Sequence, residues 1–491
     1  MKSVETFYLV LLFLPLLLQA QIPVKFDDFF IDQTFRIDYY HTGDAKSELV
    51  TIDHLYRYGI WAGSRTHLLD NFNNGRYYAK VYDIENGTII FSRGFDSYFG
   101  EYKTSDQALH GIPRTYHESI LMPVPRKKVR VVLEVRDRNN QLKEFFNSTI
   151  DPEDVGVIHE NFNDRNIKVM NSHISGDPHS RVDMAILGEG YSVDEEDKFK
   201  ADLKQFTQVF LNHPPYKFIM DRFNIYGVYK PSMESGVDEP DAGIFKSSAL
   251  NATFNSLGSE RYLLTEDNKT MRDLAARVPY DAIVVMVNHS RYGGGGIYNL
   301  FCTFTADNQW HEYLFLHEFG HSFAGLADEY YTSDVAYNEF YPLGVEPVES
   351  NITTLLDPKN VKWKNLIKKD IAIPTPWEKA DYDARDLAWQ KIRRQMNKNI
   401  VEMKRNHAPY TEIKKVQDEY DTQDRAHANE LDDYLKKSKY TNMVGAFEGA
   451  GYAAQGLYRP MLDCIMFSKG TKPFCKVCEQ GVLRVVEHYT E

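Results

Sequence analysis

The chain has 491 residues, 43% of them hydrophobic, so it is long enough to form two folded domains. Its 57 basic and 70 acidic residues give a net charge of -13, and it has no long basic run. Because nucleic-acid phosphates and anionic lipids are bound by clustered Lys and Arg, we expect no nucleic-acid partner.

The first 20 residues predict an export signal. Lys2 precedes an apolar run from 7 to 18, and the small residue Ala20 stands at the expected cleavage point. A membrane anchor is the alternative, but the run contains Pro15 and is shorter than the about 20 residues that a spanning helix needs. We therefore expect a secreted or periplasmic protein with no stable membrane insertion after signal cleavage.

Residues 21–165 predict an N-terminal all-β sandwich domain. The alternating runs RYYAKVYDI and TIIFSRGF flank Asn86-Gly87, a dipeptide that favours tight hairpin turns. RKKVRVVLEVRD and QLKEFFNSTI flank Asn139-Asn140 in the same way. The spacing of these runs is typical of a β-sandwich of modest size, and no catalytic constellation occurs among them.

Residues 172–491 predict an α/β (α+β) domain. The strand pattern VDMAILGEGY is followed by the helical pattern EEDKFKADLKQFTQVFLN and later by the strand pattern YDAIVVMVN. Such alternation indicates a sheet covered by helices. The run RYGGGGIYNLF lacks the Lys-Ser/Thr ending of a phosphate-binding loop, so we interpret it as a flexible turn leading into a strand.

Residues 377–440 are rich in charge and predict a helical hairpin inserted into this domain. Apolar residues recur there at spacings of three and four, Pro409 interrupts the pattern, and a second stripe follows. The first stripe consists of Trp389, Ile392, Met396, Ile400 and Met403.

The segment HEFGHSFAGLADEY, residues 317 to 330, carries the chemistry. On a helix, His317 and His321 stand one turn apart and can both bind one Zn²⁺ at about 2.0 to 2.1 Å. Glu318 would then lie beside the ion as a general base that takes a proton from water and passes it to the leaving amine. Two histidines packed on an ordinary helix are the alternative.

The third metal ligand requires the helix to end. Asp328 would lie roughly 10 Å beyond His321 on a continued helix, too far to share an ion. Gly325 favours the left-handed conformation that ends helices, after which the chain can fold back. Either Asp328 or Glu329 then comes within reach of the metal.

The four cysteines are Cys302, Cys464, Cys475 and Cys478. In an oxidising compartment we expect disulfides, with three complete pairings open. A structural zinc site at the Cys475/Cys478 pair is the alternative. We give it less weight because it needs a second close pair, which Cys302 and Cys464 do not supply in the sequence.

The motif resembles the metzincin clan of zinc endopeptidases, and within it the IgA peptidase M64 family. The general metzincin pattern has a glycine three residues after the second histidine and a third ligand three residues later. Here Ala324 and Ala327 hold those places, and Gly325 and Asp328 are each displaced by one, as in the M64 version. Further stretches that resemble this family are VDMAILGEGYS, FNIYGVYKPSMESGVD, YGGGG, VGAFEGAGY and YRPMLDCIMF.

The resemblance implies a metzincin-like zinc peptidase domain with Asp328 as the third ligand and Met466 in a methionine turn beneath the metal. It implies a secreted, zinc-dependent metalloendopeptidase that hydrolyses peptide bonds of extracellular proteins. The N-terminal domain resembles the family more loosely, and the 377–440 insertion departs from its pattern.

The sequence leaves two alternative functions open. A gluzincin-like peptidase would continue the helix past Gly325 and take its third ligand from a later helix. A non-catalytic adhesin or binding protein would use a merely structural metal, which has no need of a general base such as Glu318.

Overall fold

The computed structural model describes residues 24–160, 162, 164–332, 340–342 and 344–491. The expected export signal at 1–20 lies outside these ranges. No helix within them is long and apolar enough to cross a membrane.

Two four-stranded sheets form the N-terminal region. Its strands are β1 (Phe30–Gly43), β2 (Glu48–Tyr58), β3 (Tyr77–Asp83), β4 (Ile89–Phe95), β5 (Arg114–Pro125), β6 (Val129–Arg136), β7 (Leu142–Ile150) and β8 (Ile158–His159), and its short helices are α1 (Phe26–Phe29), α2 (Tyr98–Tyr102) and α3 (Asp106–Leu109). The sheet orders are β5-β1-β2-β8 and β4-β3-β6-β7. Alternate residues of facing strands, such as Phe35, Ile37, Val81 and Val131, are buried in one core. The β-rich N-terminal region is confirmed.

A six-stranded mixed sheet organises the rest of the chain. Its strands are β9 (Lys168–His173), β10 (Val182–Glu189), β11 (Phe223–Tyr229), β12 (Ala282–Val287), β13 (Gly294–Ile297) and β14 (Phe301–Thr305). The order is β13-β14-β12-β10-β11-β9, parallel at the centre and antiparallel at both edges. The edge strand β9 begins before residue 172, where the predicted catalytic domain starts.

Helices cover both faces of this sheet, as a central parallel strand requires. The helices are α4 (Glu196–Asn212), α5 (Asn268–Ala275), α6 (His311–Ala324) and α9 (Lys476–Thr490). Met184 and Ile186 of β10 pack with residues of α4, α6 and α9, whereas Ala185 and Leu187 pack with α5 and with aromatic residues of the N-terminal region. The mixed α/β character predicted for this part is confirmed.

Two 27-residue helices, α7 (Lys379–Arg405) and α8 (Tyr410–Lys436), lie within the segment where the sequence predicts a helical hairpin. The ring of Trp389 stacks on His427, with centroids 5.4 Å apart, and its indole nitrogen donates to Asp424 at 3.2 Å. Asp424 also accepts from Trp310, at the start of α6, at 2.8 Å. The helical pair is therefore joined to the body of the fold next to α6. A two-stranded ribbon, β15 (Phe447–Ala450) and β16 (Ala453–Arg459), follows it.

Candidate active site

Helix α6 carries the two histidines of the motif. Its buried side holds Phe315, Phe319 and Phe323, which pack into the core against the central sheet and α4. His317 is also buried, and His321 keeps 14% of its side chain exposed. The apolar positions thus fix the rotation of α6 so that both imidazoles face one cleft.

Each histidine is oriented by a backbone carbonyl. His317 Nδ1 lies 2.9 Å from the carbonyl oxygen of Ile465, and His321 Nδ1 lies 2.6 Å from that of Leu326. A carbonyl can only accept, so both Nδ1 atoms carry a proton and donate it. In the neutral rings both Nε2 atoms therefore present lone pairs to the cleft.

Three acceptor atoms converge in this cleft. His317 Nε2, His321 Nε2 and Asp328 Oδ1 form a triangle with all three sides 3.1 Å long. Three lone pairs this close repel one another unless a cation or a proton lies between them. Zinc bound tetrahedrally at about 2.0 to 2.1 Å would separate its ligand atoms by about 3.3 to 3.4 Å. The donor set and its spacing therefore fit Zn²⁺.

Charge distribution supports the same conclusion. Burial alone would lower the pKa of His321, but the adjacent Asp328 carboxylate raises that pKa to about 9. Burial alone would raise the pKa of Asp328, but the two histidines hold that pKa well below its usual range. Asp328 is thus an anion that attracts positive charge to the centre of the triangle.

The chain reverses after α6 at Gly325, whose φ of 59° lies in the left-handed region. The amide of Leu326 then donates to the carbonyl of Gly320 at 3.3 Å. Asn351 holds the returning segment by accepting from Ala327 N and donating to Ala327 O, both at 2.8 Å. Because α6 ends here, the geometry does not favour the gluzincin-like alternative.

Tyr452, in the turn between β15 and β16, donates its hydroxyl to Asp328 Oδ2 in a short hydrogen bond. The amide of Gly451 also donates to the carbonyl of Asp328, at 3.0 Å. These contacts leave Oδ1 of Asp328 directed at the histidines. Sequence reasoning missed Tyr452, which lies 124 positions from Asp328.

We expect Tyr452→Phe to lower zinc affinity by about 10- to 100-fold, because a ligand loses the hydrogen bond that orients it. Titration of the metal-free protein against a competing chelator measures this change. Tyr458→Phe is the matched control, since Tyr458 lies on β16 beside Glu448 and away from the cleft. Equal affinities in wild type and Tyr452→Phe would contradict the assigned role.

Met466 packs against the motif helix α6. Residues 464 to 467 form a turn in which Phe467 N donates to Cys464 O at 2.9 Å. A side chain at Gly320 would place its Cβ 3.0 Å from Met466 Sδ, so the thioether packs directly against α6. The same turn supplies the Ile465 carbonyl that orients His317. Met466 is fully buried, so its role here is one of packing and support.

Glu318 lines the same cleft as the three acceptor atoms. Burial raises its pKa above the ordinary value, while His317 and His321 oppose that rise. The glutamate lies against the edge strand β13, where a Cβ on Gly294 would be 3.1 Å from Glu318 Oε1. A Cβ on Gly296 would be 2.4 Å from the carbonyl oxygen of Glu318.

The glycine run is therefore strand rather than flexible turn, and this expectation was wrong for residues 294–297. The absence of side chains at Gly294 and Gly296 lets α6 and Glu318 approach the edge strand closely.

Residues from distant parts of the chain complete the cleft. Asp96 and Glu101 of the N-terminal region line it, so that region contributes to its wall. On another side, Arg261 donates to the hydroxyl of Tyr330 at 3.0 Å. Asp96, Glu101 and Arg261 come from distant segments, whereas Tyr330 ends the motif segment itself.

The cysteines differ from expectation. All four fall within the described residues, and all four are free and buried, so the preference for a disulfide was wrong in this structure. Cys302 lies alone on β14, whereas the other three gather beside Glu329. Glu329 points away from the histidines, and Asp328 is the carboxylate that joins them.

Comparison with known families assigns the chain to a class of enzymes. Residues 170–486 match the family described as IgA peptidase M64, and residues 25–147 match the peptidase M64 N-terminus. Together the two matches span most of the chain. The chain therefore belongs to the IgA peptidase M64 family, and it is a peptidase. No curated protein matches it significantly.

Proposed function

We propose that this chain is a secreted or periplasmic zinc metalloendopeptidase that hydrolyses peptide bonds of extracellular proteins. The observation that carries the proposal is the triangle of His317 Nε2, His321 Nε2 and Asp328 Oδ1 beside Glu318. Family membership supplies the reaction class. The expected export signal at 1–20 supports the secreted or periplasmic location. A non-catalytic adhesin has no use for this arrangement.

His317, His321 and Asp328 would hold the zinc, and Glu318 would transfer protons. When bound, zinc supplies Lewis acidity that polarises the peptide carbonyl and lowers the pKa of the attacking water. Glu318 takes the proton from that water and then gives it to the leaving amine. Its burial and raised pKa suit both steps, because a carboxylate that is too acidic accepts protons poorly.

The proposal is tested by digesting a proteome-derived peptide library with the purified protein lacking residues 1–20. We expect cleavage within peptides that stops when the metal is removed with a chelator and returns on addition of Zn²⁺. Cleavage that persists in the metal-free protein would contradict zinc dependence. Release of terminal residues alone would contradict the endopeptidase assignment.

A second cavity adjoins the active-site cleft and is walled by the helical pair. Arg261, Tyr292, Tyr313 and Tyr330 line both cavities and so form the partition between them. The far wall includes Asp386, Trp389, Arg393, Asp424, His427 and Ala428. Because the two cavities share this partition, we propose that the helical pair has a role in substrate selection.

Ala428→Phe tests that role. The added ring should fill the second cavity and change which residues are accepted next to the cleaved bond, with at least about a tenfold change in relative kcat/KM between peptides. The matched control is Ala426→Phe, since Ala426 is exposed on the same helix and does not line the cavity. Profiling both variants with one peptide library compares them directly. Identical profiles for Ala428→Phe and wild type would contradict the role.

A further inference from the structure

A second group of metal-binding side chains lies behind the active site. It consists of Glu329, Cys464, Cys475 and Cys478, whose ligand atoms all lie within 4.8 Å of one another. Each of these four residues is at most 3% exposed. Sulfur and carboxylate atoms are therefore concentrated in a site without access to water.

The cysteine geometry does not correspond to a disulfide. Cys464 Sγ and Cys478 Sγ are 3.9 Å apart, whereas bonded sulfurs are separated by about 2.0 Å. A disulfide would also leave the third thiol buried beside the carboxylate of Glu329. A shared cation accounts for all four groups at once.

Backbone amides are directed at the sulfurs. Cys475 N donates to Cys464 Sγ at 3.1 Å, Met466 N donates to the same sulfur at 3.4 Å, and Cys478 N donates to Cys475 Sγ at 3.4 Å. Cys475 caps the N-terminus of α9 and Cys478 lies in its first turn, where the helix dipole favours negative charge. The two amides that reach Cys464 Sγ favour its thiolate, the form in which cysteine binds metals.

The carboxylate of Glu329 independently indicates a bound cation. Its Oε1 accepts from Asn351 at 3.1 Å and lies 3.1 Å from Cys478 Sγ and 3.7 Å from Cys475 Sγ. Its Oε2 is buried and has no hydrogen-bond partner among the described residues. A fully buried carboxylate oxygen without a partner costs free energy unless a cation binds there.

We infer that Glu329, Cys464, Cys475 and Cys478 bind a structural zinc ion, separate from the ion proposed at the histidines. Tetrahedral zinc with sulfur ligands at about 2.3 Å separates those sulfurs by about 3.8 Å, and a carboxylate oxygen at about 2.1 Å lies about 3.6 Å from each sulfur. The sulfur–sulfur separation of 3.9 Å and the sulfur separations of 3.7 and 3.1 Å from Glu329 Oε1 are close to these values. Thiolate-rich sites also favour zinc over the harder Mg²⁺ and Ca²⁺.

The structural ion would join three segments that build the active site. Glu329 follows the proposed ligand Asp328, and its amide donates to Met466 O at 2.8 Å. Cys464 begins the turn that supplies the Ile465 carbonyl to His317. Cys475 and Cys478 anchor α9 to that turn. The second ion thus fixes the geometry of the first site without contacting substrate.

Metal content and thiol content of the purified protein test this inference. We expect two zinc ions per wild-type chain by mass spectrometry, one in His317→Ala/His321→Ala, one in Cys478→Ser, and two in the control Cys302→Ala. Cys302 is also buried but lies outside the cluster. In the histidine variant, X-ray absorption should report mainly sulfur at about 2.3 Å around the remaining zinc.

Alkylation of wild-type protein, denatured with chelator but without reductant, keeps the test independent of variant folding. Modification of all four cysteines supports the metal site. Modification of only two cysteines would reveal a disulfide and overturn the inference. A single zinc ion in wild type that is absent from the histidine variant would also overturn it. Wild-type protein that holds zinc at the cysteines but none at the histidines would overturn the proposed function. The inference of the second site would still stand.

Discussion

Glu318→Gln is expected to lower kcat/KM for peptide cleavage by about 10²- to 10⁴-fold while leaving zinc bound. The amide keeps the size and position of the side chain but cannot accept the proton of the attacking water. None of the three proposed metal ligands is altered. Turnover of a fluorogenic peptide and zinc content, measured on one preparation, separate loss of chemistry from loss of metal.

Glu312→Gln is the matched control for this substitution. Glu312 lies on the same helix and accepts from Thr471 at 3.1 Å, on a partly exposed surface outside the cleft. We expect it to retain wild-type turnover and zinc. If Glu318→Gln also retained wild-type turnover, proton transfer would have to be assigned to another residue of the cleft.

Local patterns predicted much of the fold. Alternation on either side of Asn86-Gly87 corresponds to the hairpin of β3 and β4, and Asn139-Asn140 lies between β6 and β7, with Asn140 at a φ of 59°. These features depend on neighbours in sequence, which periodicity captures. The pairing of strands into two sheets is long-range, and periodicity alone did not give its order.

The motif helix was predictable for the same reason. His317 and His321 are one turn apart, and the φ of Gly325 ends the helix where a reversal is needed. Tyr452, Asn351 and Arg261 were not predictable, because they reach the site from distant segments. The glycine run could have predicted the close approach of α6 to β13, since consecutive glycines near a functional helix indicate close backbone approach as well as turns.

The cysteines show a similar limit. From the sequence we favour a disulfide over a structural zinc site, because Cys302 and Cys464 do not form a second close pair. In the fold, the turn at residues 464 to 467 brings Cys464 to the start of α9, and the reversal at Gly325 delivers Glu329 as a fourth group. The second pair thus consists of Cys464 and Glu329, which come from two separate loops. Glu329 contributes oxygen instead of sulfur.

Asp328→Ala is expected to remove zinc from the histidine site and abolish peptide cleavage. The variant loses a ligand atom and the negative charge that draws a cation to two imidazoles. Its loss of affinity should therefore exceed the about 10- to 100-fold expected from removing only the supporting hydrogen bond of Tyr452. Chelator competition measures affinity, and peptide turnover measures activity.

Glu329→Ala is the informative comparison, because the neighbouring carboxylate is changed in the same way. Adjacent residues of an extended segment point to opposite sides, so one carboxylate faces the histidines and the other faces the cysteines. Glu329→Ala should retain the histidine-bound zinc better than Asp328→Ala does. If Glu329→Ala emptied the histidine site while Asp328→Ala stayed loaded and active, the third ligand would be displaced by one residue. The two carboxylates would then have exchanged roles, and the reversal at Gly325 would have to place the following segment in the opposite register.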